Sequence, residues 1–268
     1  MKLKKKYYVP FTIVLMILVL TSSTFALTAR EIMEKVDARN DGDNMTANVQ
    51  MILIDRQNHQ RIRDMKVFTK DKGKDTLKMQ FFLSPADVKN TGFLTYDYYE
   101  GARDDDQWLF LPDLHKTKRI ATSDKSSSFM GSDFSYADIT QRVLDEWKYK
   151  LLKEGKVNNK KVWLIEAVPV SDKVRDRYGY LKSVVFIRQD IFMGVRAVHW
   201  LKEGKKIKYQ ENKGIKQIDG VWVATELHMK TTKNKVTSHR TIMRYSDIKF
   251  NQNLSDKLFT VRTLEKGI

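Results

Sequence analysis

From Ala47 to Leu53 every second residue is apolar (Ala47, Val49, Met51, Leu53), and Leu77, Met79, Phe81 and Leu83 repeat the pattern after the Lys72-Gly73 turn. A period of two sends alternate side chains to opposite faces, so each segment predicts a half-buried strand. Trp147, Tyr149 and Leu151 alternate with Glu146, Lys148 and Lys150, and Val221, Val223, Leu227 and Met229 alternate with Trp222, Glu226, His228 and Lys230. One face of the sheet is wet there. Asp219-Gly220, Glu203-Gly204 and Lys233-Asn234 mark chain reversals at similar spacing, so the second half predicts an antiparallel meander.

Two segments break the alternation. Trp108-Leu109-Phe110-Leu111 and Val162-Trp163-Leu164-Ile165 are apolar on both sides, which requires cover on each face. A strongly curved antiparallel sheet with a few inserted helices satisfies this, an α+β class that is mainly β. Thr28-Ala29-Arg30-Glu31 has the form of a capping box, followed by an apolar stripe at Ile32, Met33 and Val36. That helix is expected to end near the turn-forming Asn40-Asp41-Gly42-Asp43.

Some thirty residues separate the strand ending at Pro112 from the one starting near Asp145, too many for an ordinary hairpin loop. Within them Phe129, Met130, Phe134 and Tyr136 sit among small polar residues. Each is worth on the order of 1.5 to 3 kcal/mol when buried, so they plug the sheet as core or act as a movable lid against a ligand. Ser135 with Asp138 has the spacing to cap a short helix.

The N-terminus changes where such a sheet would work. Four positive charges in Met1 to Lys6 precede an apolar run from Val9 to Leu20 and a small, polar stretch ending at Ala26, the layout of a cleavable signal peptide over residues 1–26. A twelve-residue helix rises about 18 Å, short of a hydrocarbon core of about 30 Å. The mature chain is therefore expected to be one domain, residues 27–268, starting at Leu27 and exported to the periplasm. Cysteine is absent, which removes thiol chemistry, disulfides and an acylated N-terminal cysteine. Loss of four lysines with residues 1–26 takes the formal charge from +16 to +12. An exported basic protein does not normally meet nucleic acid, so this charge faces anionic headgroups, acidic polysaccharide or an acidic partner, or serves solubility.

Candidate catalytic chemistry is thin. Asp104-Asp105-Asp106 reads as solvated turn charge, because adjacent strand residues point to opposite faces. His59, His115, His199, His228 and His239 show no metal-ligand spacing, and neither a nucleophile elbow nor a phosphate loop is present. No enzyme, metal or cofactor is expected. The lysines from Lys153 to Lys161 and from Lys202 to Lys208 flank predicted turns, where charge protects sheet edges.

Five blocks in order, Phe82-Leu83-Ser84-Pro85-Ala86-Asp87-Val88, Gly92-Phe93-Leu94, Asp105 through Pro112, Lys118-Arg119-Ile120 and Phe129-Met130-Gly131-Ser132-Asp133-Phe134, resemble the outer-membrane lipoprotein-sorting protein family of Gram-negative periplasms, within the LolA/LolB-like carriers. The resemblance implies a half-barrel of about eleven antiparallel strands with helices across its mouth, enclosing an apolar cavity for acyl chains. It implies a soluble carrier of lipid or lipoprotein acyl chains between inner and outer membrane, with transient membrane-surface contact, an inner-membrane transporter and an outer-membrane acceptor as partners. The expected cavity and lid residues are Phe81, Leu83, Phe93, Trp108, Phe110, Phe129, Met130, Phe134 and Tyr136. The alternative is a fully packed binding or adaptor module for an envelope transporter or an anionic polysaccharide, and a hydrolase using Asp105 and Asp133 ranks below both.

Overall fold

The computed structural model describes residues 27–100 and 103–268; the signal-peptide reading concerns residues 1–26 and lies outside them. The chain forms α1 (Ala29–Asp37), β1 (Asn44–Ile54), β2 (Gln60–Lys72), β3 (Asp75–Ser84), β4 (Gly92–Asp97), β5 (Asp106–Leu111), β6 (Lys116–Arg119), β7 (Trp147–Val157), β8 (Lys160–Pro169), α2 (Asp172–Tyr178), β9 (Tyr180–Arg188), β10 (Met193–Leu201), β11 (Lys206–Ile218), β12 (Val221–Lys233), β13 (Val236–Phe250) and α3 (Val261–Lys266). All thirteen strands join one curved, unclosed antiparallel sheet in the order β6-β5-β4-β3-β2-β1-β13-β12-β11-β10-β9-β8-β7. The strand count exceeds the expected eleven, partly because β6 is a four-residue edge strand of polar side chains with no apolar alternation to announce it.

This order explains the long insertion. The chain runs outward from β1 to one edge at β6, then resumes at the opposite edge with β7 and returns through neighbouring hairpins until β13 pairs with β1. The 27 residues between Arg119 and Trp147 must therefore cross the sheet. Twelve strand spacings of about 4.8 Å make roughly 58 Å of sheet if flat, and 27 extended residues reach about 90 Å. The connection is long enough to cross one face with slack, and it needs apolar side chains to bury where it lies on that face.

Cross-strand partners share a face, so the register traces the covered side. Leu109 lies opposite Phe93, Phe82 opposite Met65, Met65 opposite Val49, Met51 opposite Met243 and Met243 opposite Leu227. The same face continues through Gln210, Ala197, Val185 and Ile165. Phe129, Phe134 and Tyr136 from the crossing segment pack on its first half, and Ile32 of α1 packs on Ile165 and Ile187. α1 starts with the anticipated capping box, Thr28 and Glu31 bonding reciprocally, and ends at Asp37, slightly before the predicted turn.

The other face has its own cover. Leu77, Met79, Phe81 and Leu94 pack beneath Phe259 and Leu264 of the C-terminal segment, with Trp108 and Phe110 against the same cluster. Gly92 is required at this contact, since a Cβ there would lie 2.6 Å from Leu264 Cδ1 and 3.1 Å from its carbonyl oxygen. Cover on both sides of β5 accounts for its unbroken apolar run. β8 is likewise covered twice, by α1 over Trp163 and Ile165 and by Val157, Val195 and Phe186 around Val162 and Leu164.

A covered cavity on the inner face

The crossing segment is held by polar ties as well as by burial. The Asp133 carboxylate accepts from the hydroxyls of Thr231 and Thr241 and contacts His239 Nδ1 at 2.7 Å, joining the cover to β12 and β13. Arg63 of β2 donates to the carbonyl of Met130, and Gln107 of β5 donates to that of Tyr136 at 3.0 Å. Ser135 and Asp138 exchange backbone-to-side-chain hydrogen bonds at 2.9 and 3.1 Å. The capping chemistry is present, but it closes a turn rather than a helix.

Asp138 then reaches the far half of the sheet. Tyr180 Oη donates to both its carboxylate oxygens at 2.7 and 2.8 Å, and Lys208 Nζ lies 3.2 Å away. Burial alone would raise the carboxyl pKa, but Lys208, the Ser135 amide and the Tyr180 hydroxyl outweigh it and hold Asp138 well below the usual range. Lys208, expected at a charged turn, is instead a buried partner of the cover. His199 stacks on Tyr180 at 4.6 Å between centroids and bonds Ser183 Oγ at 2.7 Å; burial first, then the Arg142 charge, push its pKa down to about 3.

Between cover and sheet lies a cavity of about 300 Å³, lined by Met45, Val49, Met65, Val67, Leu227 and Met243 of the sheet and by Phe134 and Ile139 of the cover. Polar groups gather at one side, including Lys78, Gln80, Asp138 and Gln210. Lys78 is already paired with Asp97 at 2.8 Å. A second chamber of about 230 Å³ adjoins it, sharing Asp138, Thr140 and Gln210 and adding Arg142, Trp147, Tyr149, His199 and Asn212. The first volume sits at the lower edge of the range of about 300 to 1,000 Å³ typical of ligand sites. Methionine lining gives an adaptable apolar wall, since the unbranched thioether takes many rotamers.

The nine residues singled out from sequence separate. Phe134 lines the larger chamber. Phe93, Phe129 and Tyr136 pack against one another with centroids 5.1 to 5.6 Å apart, forming the cover's anchor on β4 beside the chamber. Met130 is half-buried against this cluster, with φ of 50° ahead of Gly131 at 73°. Phe81, Trp108 and Phe110 are on the opposite face under the C-terminal segment, so they are not part of one apolar lining with the others, and Leu83 is 43% exposed. Strand parity explains the split: Phe93 and Leu109 share a face, and Trp108 and Phe110 must point away from it. Sequence reasoning missed Met45, Met65, Leu227, Met243, Asp138 and Arg142. The alternation that placed Val49 and Met51 inside extends to Met65 and Val67, but only the pairing of β1 with β13 brings Met243 alongside.

The three adjacent aspartates are not solvated turn charges. Asp104 accepts from Thr122 and Arg177, Asp105 from Lys125 and the Tyr98 amide, and Asp106 from Arg119 and the Tyr98 hydroxyl. β6, the crossing segment and α2 bring Arg119, Lys125 and Arg177 onto the start of β5. Burial, then repulsion from Asp97, raise the Asp105 pKa. Asp133 touches His239, but the threonine hydroxyls beside it bond to the carboxylate rather than to the imidazole, which is not the order a nucleophilic triad requires. Among the described residues no helix is long and apolar enough to cross a membrane.

A curved, unclosed sheet roofed by its own crossing segment around a cavity is a half-barrel. A family model described as that of an uncharacterized protein matches residues 74–266, and the chain belongs to that family. It is similar to the crystal structure of a putative outer membrane lipoprotein-sorting protein domain from Vibrio parahaemolyticus, with 28% identity, coverage of 88% of this chain and 98% of the other, and a TM-score of 0.80. A DUF1329 family protein from Desulfovibrio piger matches with 26% identity, 88% and 97% coverage and a TM-score of 0.81. A LolA superfamily protein from Nitrosomonas europaea, at 20% identity, 88% and 99% coverage and a TM-score of 0.67, shares the fold. No curated protein matches.

Proposed function

We propose that this protein is a non-enzymatic periplasmic carrier that holds lipid, or the acyl chain of a lipoprotein, in the methionine-lined chamber and moves it between the inner and outer membrane. The observation that carries the reading is the cavity itself: about 300 Å³ between the sheet and a cover tied down at Asp133, Tyr136 and Asp138. The likeness to a lipoprotein-sorting domain at 28% identity supports the same role. An interior packed solid, as an adaptor module would have, leaves no such space.

Burial of roughly ten methylenes supplies about 8 kcal/mol before the costs of association are subtracted. Release then needs the cover to lift, which means breaking the ties at Asp133 and Asp138. An inner-membrane donor and an outer-membrane acceptor are the partners this cycle requires, and the basic surface provides transient contact with anionic headgroups. Titration with a fluorescent fatty acid tests the reading. Saturable 1:1 binding, displaced by unlabelled fatty acid, is expected; the absence of saturable binding to folded protein contradicts it.

A further inference from the structure

The smaller chamber contains a charge without a counterion. Of the other cations lining the two chambers, Lys78 is paired with Asp97 and Arg196 with Glu211. Arg142 has no carboxylate at salt-bridge distance among the described residues. Its guanidinium lies 4.7 Å from the Trp147 ring centroid and makes long contacts of 3.5 and 3.4 Å to Ser183 Oγ and His199 Nδ1. Asp138, the one carboxylate lining this chamber, is already committed to Lys208, Tyr180 and Ser135. On the outer side Arg142 also borders a cavity of about 550 Å³ lined by four carboxylates, of which Asp145 is paired with Arg30 and Glu146 with Arg177, while Asp37 and Glu100 lie beyond salt-bridge distance of Arg142.

A second orphan stands beside it. Trp147 lines the same chamber and is 3% exposed, yet its indole Nε1 has no hydrogen-bond acceptor among the described residues. A buried donor left unpaired costs on the order of 1 to 3 kcal/mol, and a partly buried cation without a counterion costs more.

We propose that Arg142 and the Trp147 indole form an anion subsite, so that the cargo is a single-chain amphiphile with a carboxylate or phosphate head in the smaller chamber and its tail in the methionine-lined one. The inference rests on the carrier reading and narrows it to anionic amphiphiles. The shared Asp138, Thr140 and Gln210 wall puts the two chambers next to each other, as a head and a tail demand.

The test is calorimetric titration of the delipidated mature protein at pH 7.5 with dodecanoate, dodecyl phosphate, dodecanol and inorganic phosphate. The two anionic amphiphiles are expected to bind about tenfold or more tightly than dodecanol, the worth of a charge-assisted hydrogen bond, with inorganic phosphate far weaker. Arg142→Gln should erase the preference of anionic amphiphiles over dodecanol, and Arg142→Lys should restore part of it. The Trp147 indole N–H resonance, assigned with Trp147→Phe, should move with dodecanoate and not with dodecanol, a readout on the wild-type chain that needs no altered arginine. Equal binding of dodecanoate and dodecanol overturns the subsite and leaves the carrier standing. Inorganic phosphate binding as tightly as dodecyl phosphate overturns the amphiphile. Failure of every amphiphile to bind overturns the carrier reading, and the subsite with it.

Discussion

Asp133 and Thr241 are tied in both directions: the Asp133 amide donates to the Thr241 hydroxyl at 2.9 Å, and that hydroxyl donates back to the Asp133 carboxylate at 2.8 Å. The pair fixes the cover to β13 at the middle of the sheet, where the outgoing and returning halves of the chain meet. Replacing Asp133 with Ala leaves Thr231, Thr241 and His239 without their shared acceptor, a cost of about 2 to 3 kcal/mol. For a domain of this size that lowers Tm by roughly 4 to 12 °C. Thermal unfolding followed by circular dichroism checks it; an unchanged Tm contradicts the tie.

Phe129 and Phe110 should behave differently although both were expected to touch cargo. Phe129→Ala removes a fully buried ring from the cluster with Phe93 and Tyr136, costing about 3 to 5 kcal/mol and loosening the cover. Phe110→Ala affects the packing under the C-terminal segment and should leave fatty-acid affinity within about twofold, a difference under about 0.5 kcal/mol. Binding titrations on the two variants, at a temperature where both are folded, separate them.

Leu227→Trp fills the larger chamber. Leu227 is only partly buried and faces the cavity beside Met243, so the indole can occupy space that cargo would use, at a stability cost of about 1 to 3 kcal/mol from overpacking. Fatty-acid affinity should fall by about tenfold or more; unchanged affinity places the cargo elsewhere.

Acid should destabilise the fold well above the pH at which its carboxylates protonate. His199 has a folded pKa of about 3 against about 6.5 in an unfolded chain, so protonation favours the unfolded state. Stability is flat above about pH 7, falls as pH drops through 6.5 and keeps falling towards 3, amounting to about 2 to 3 kcal/mol by pH 4.5. Asp138, whose folded pKa is depressed, adds a loss of the same sign below about 3.9. Urea midpoints at pH 7.5 and 4.5 should differ accordingly, and His199→Gln should shrink the difference.

Much of the architecture was legible because strand alternation and hairpin turns are local signals. Asp219-Gly220 does join β11 to β12, and Thr28 with Glu31 does open α1. What stayed hidden depended on pairing across the chain. Nothing in residues 236 to 250 says that Met243 will face Met51, and nothing near Phe81 says that Leu264 will lie on Gly92. The aromatic residues of the insertion were conspicuous because burying them is so favourable, and for that reason most of them became the cover's own core. The chamber's apolar wall is largely methionine and aliphatic side chains that carry no such signal. Arg142 was invisible for the same kind of reason: its lack of a carboxylate is a property of the folded arrangement.

The central claim is that the space between Phe134 and Met243 holds an acyl chain. Native mass spectrometry of gently purified mature protein tests it most directly. The account predicts a population carrying the added mass of an acyl lipid in 1:1 stoichiometry, released on denaturation and reduced in Leu227→Trp. Protein that is folded yet uniformly free of added mass, and that stays so after incubation with fatty acid, contradicts it.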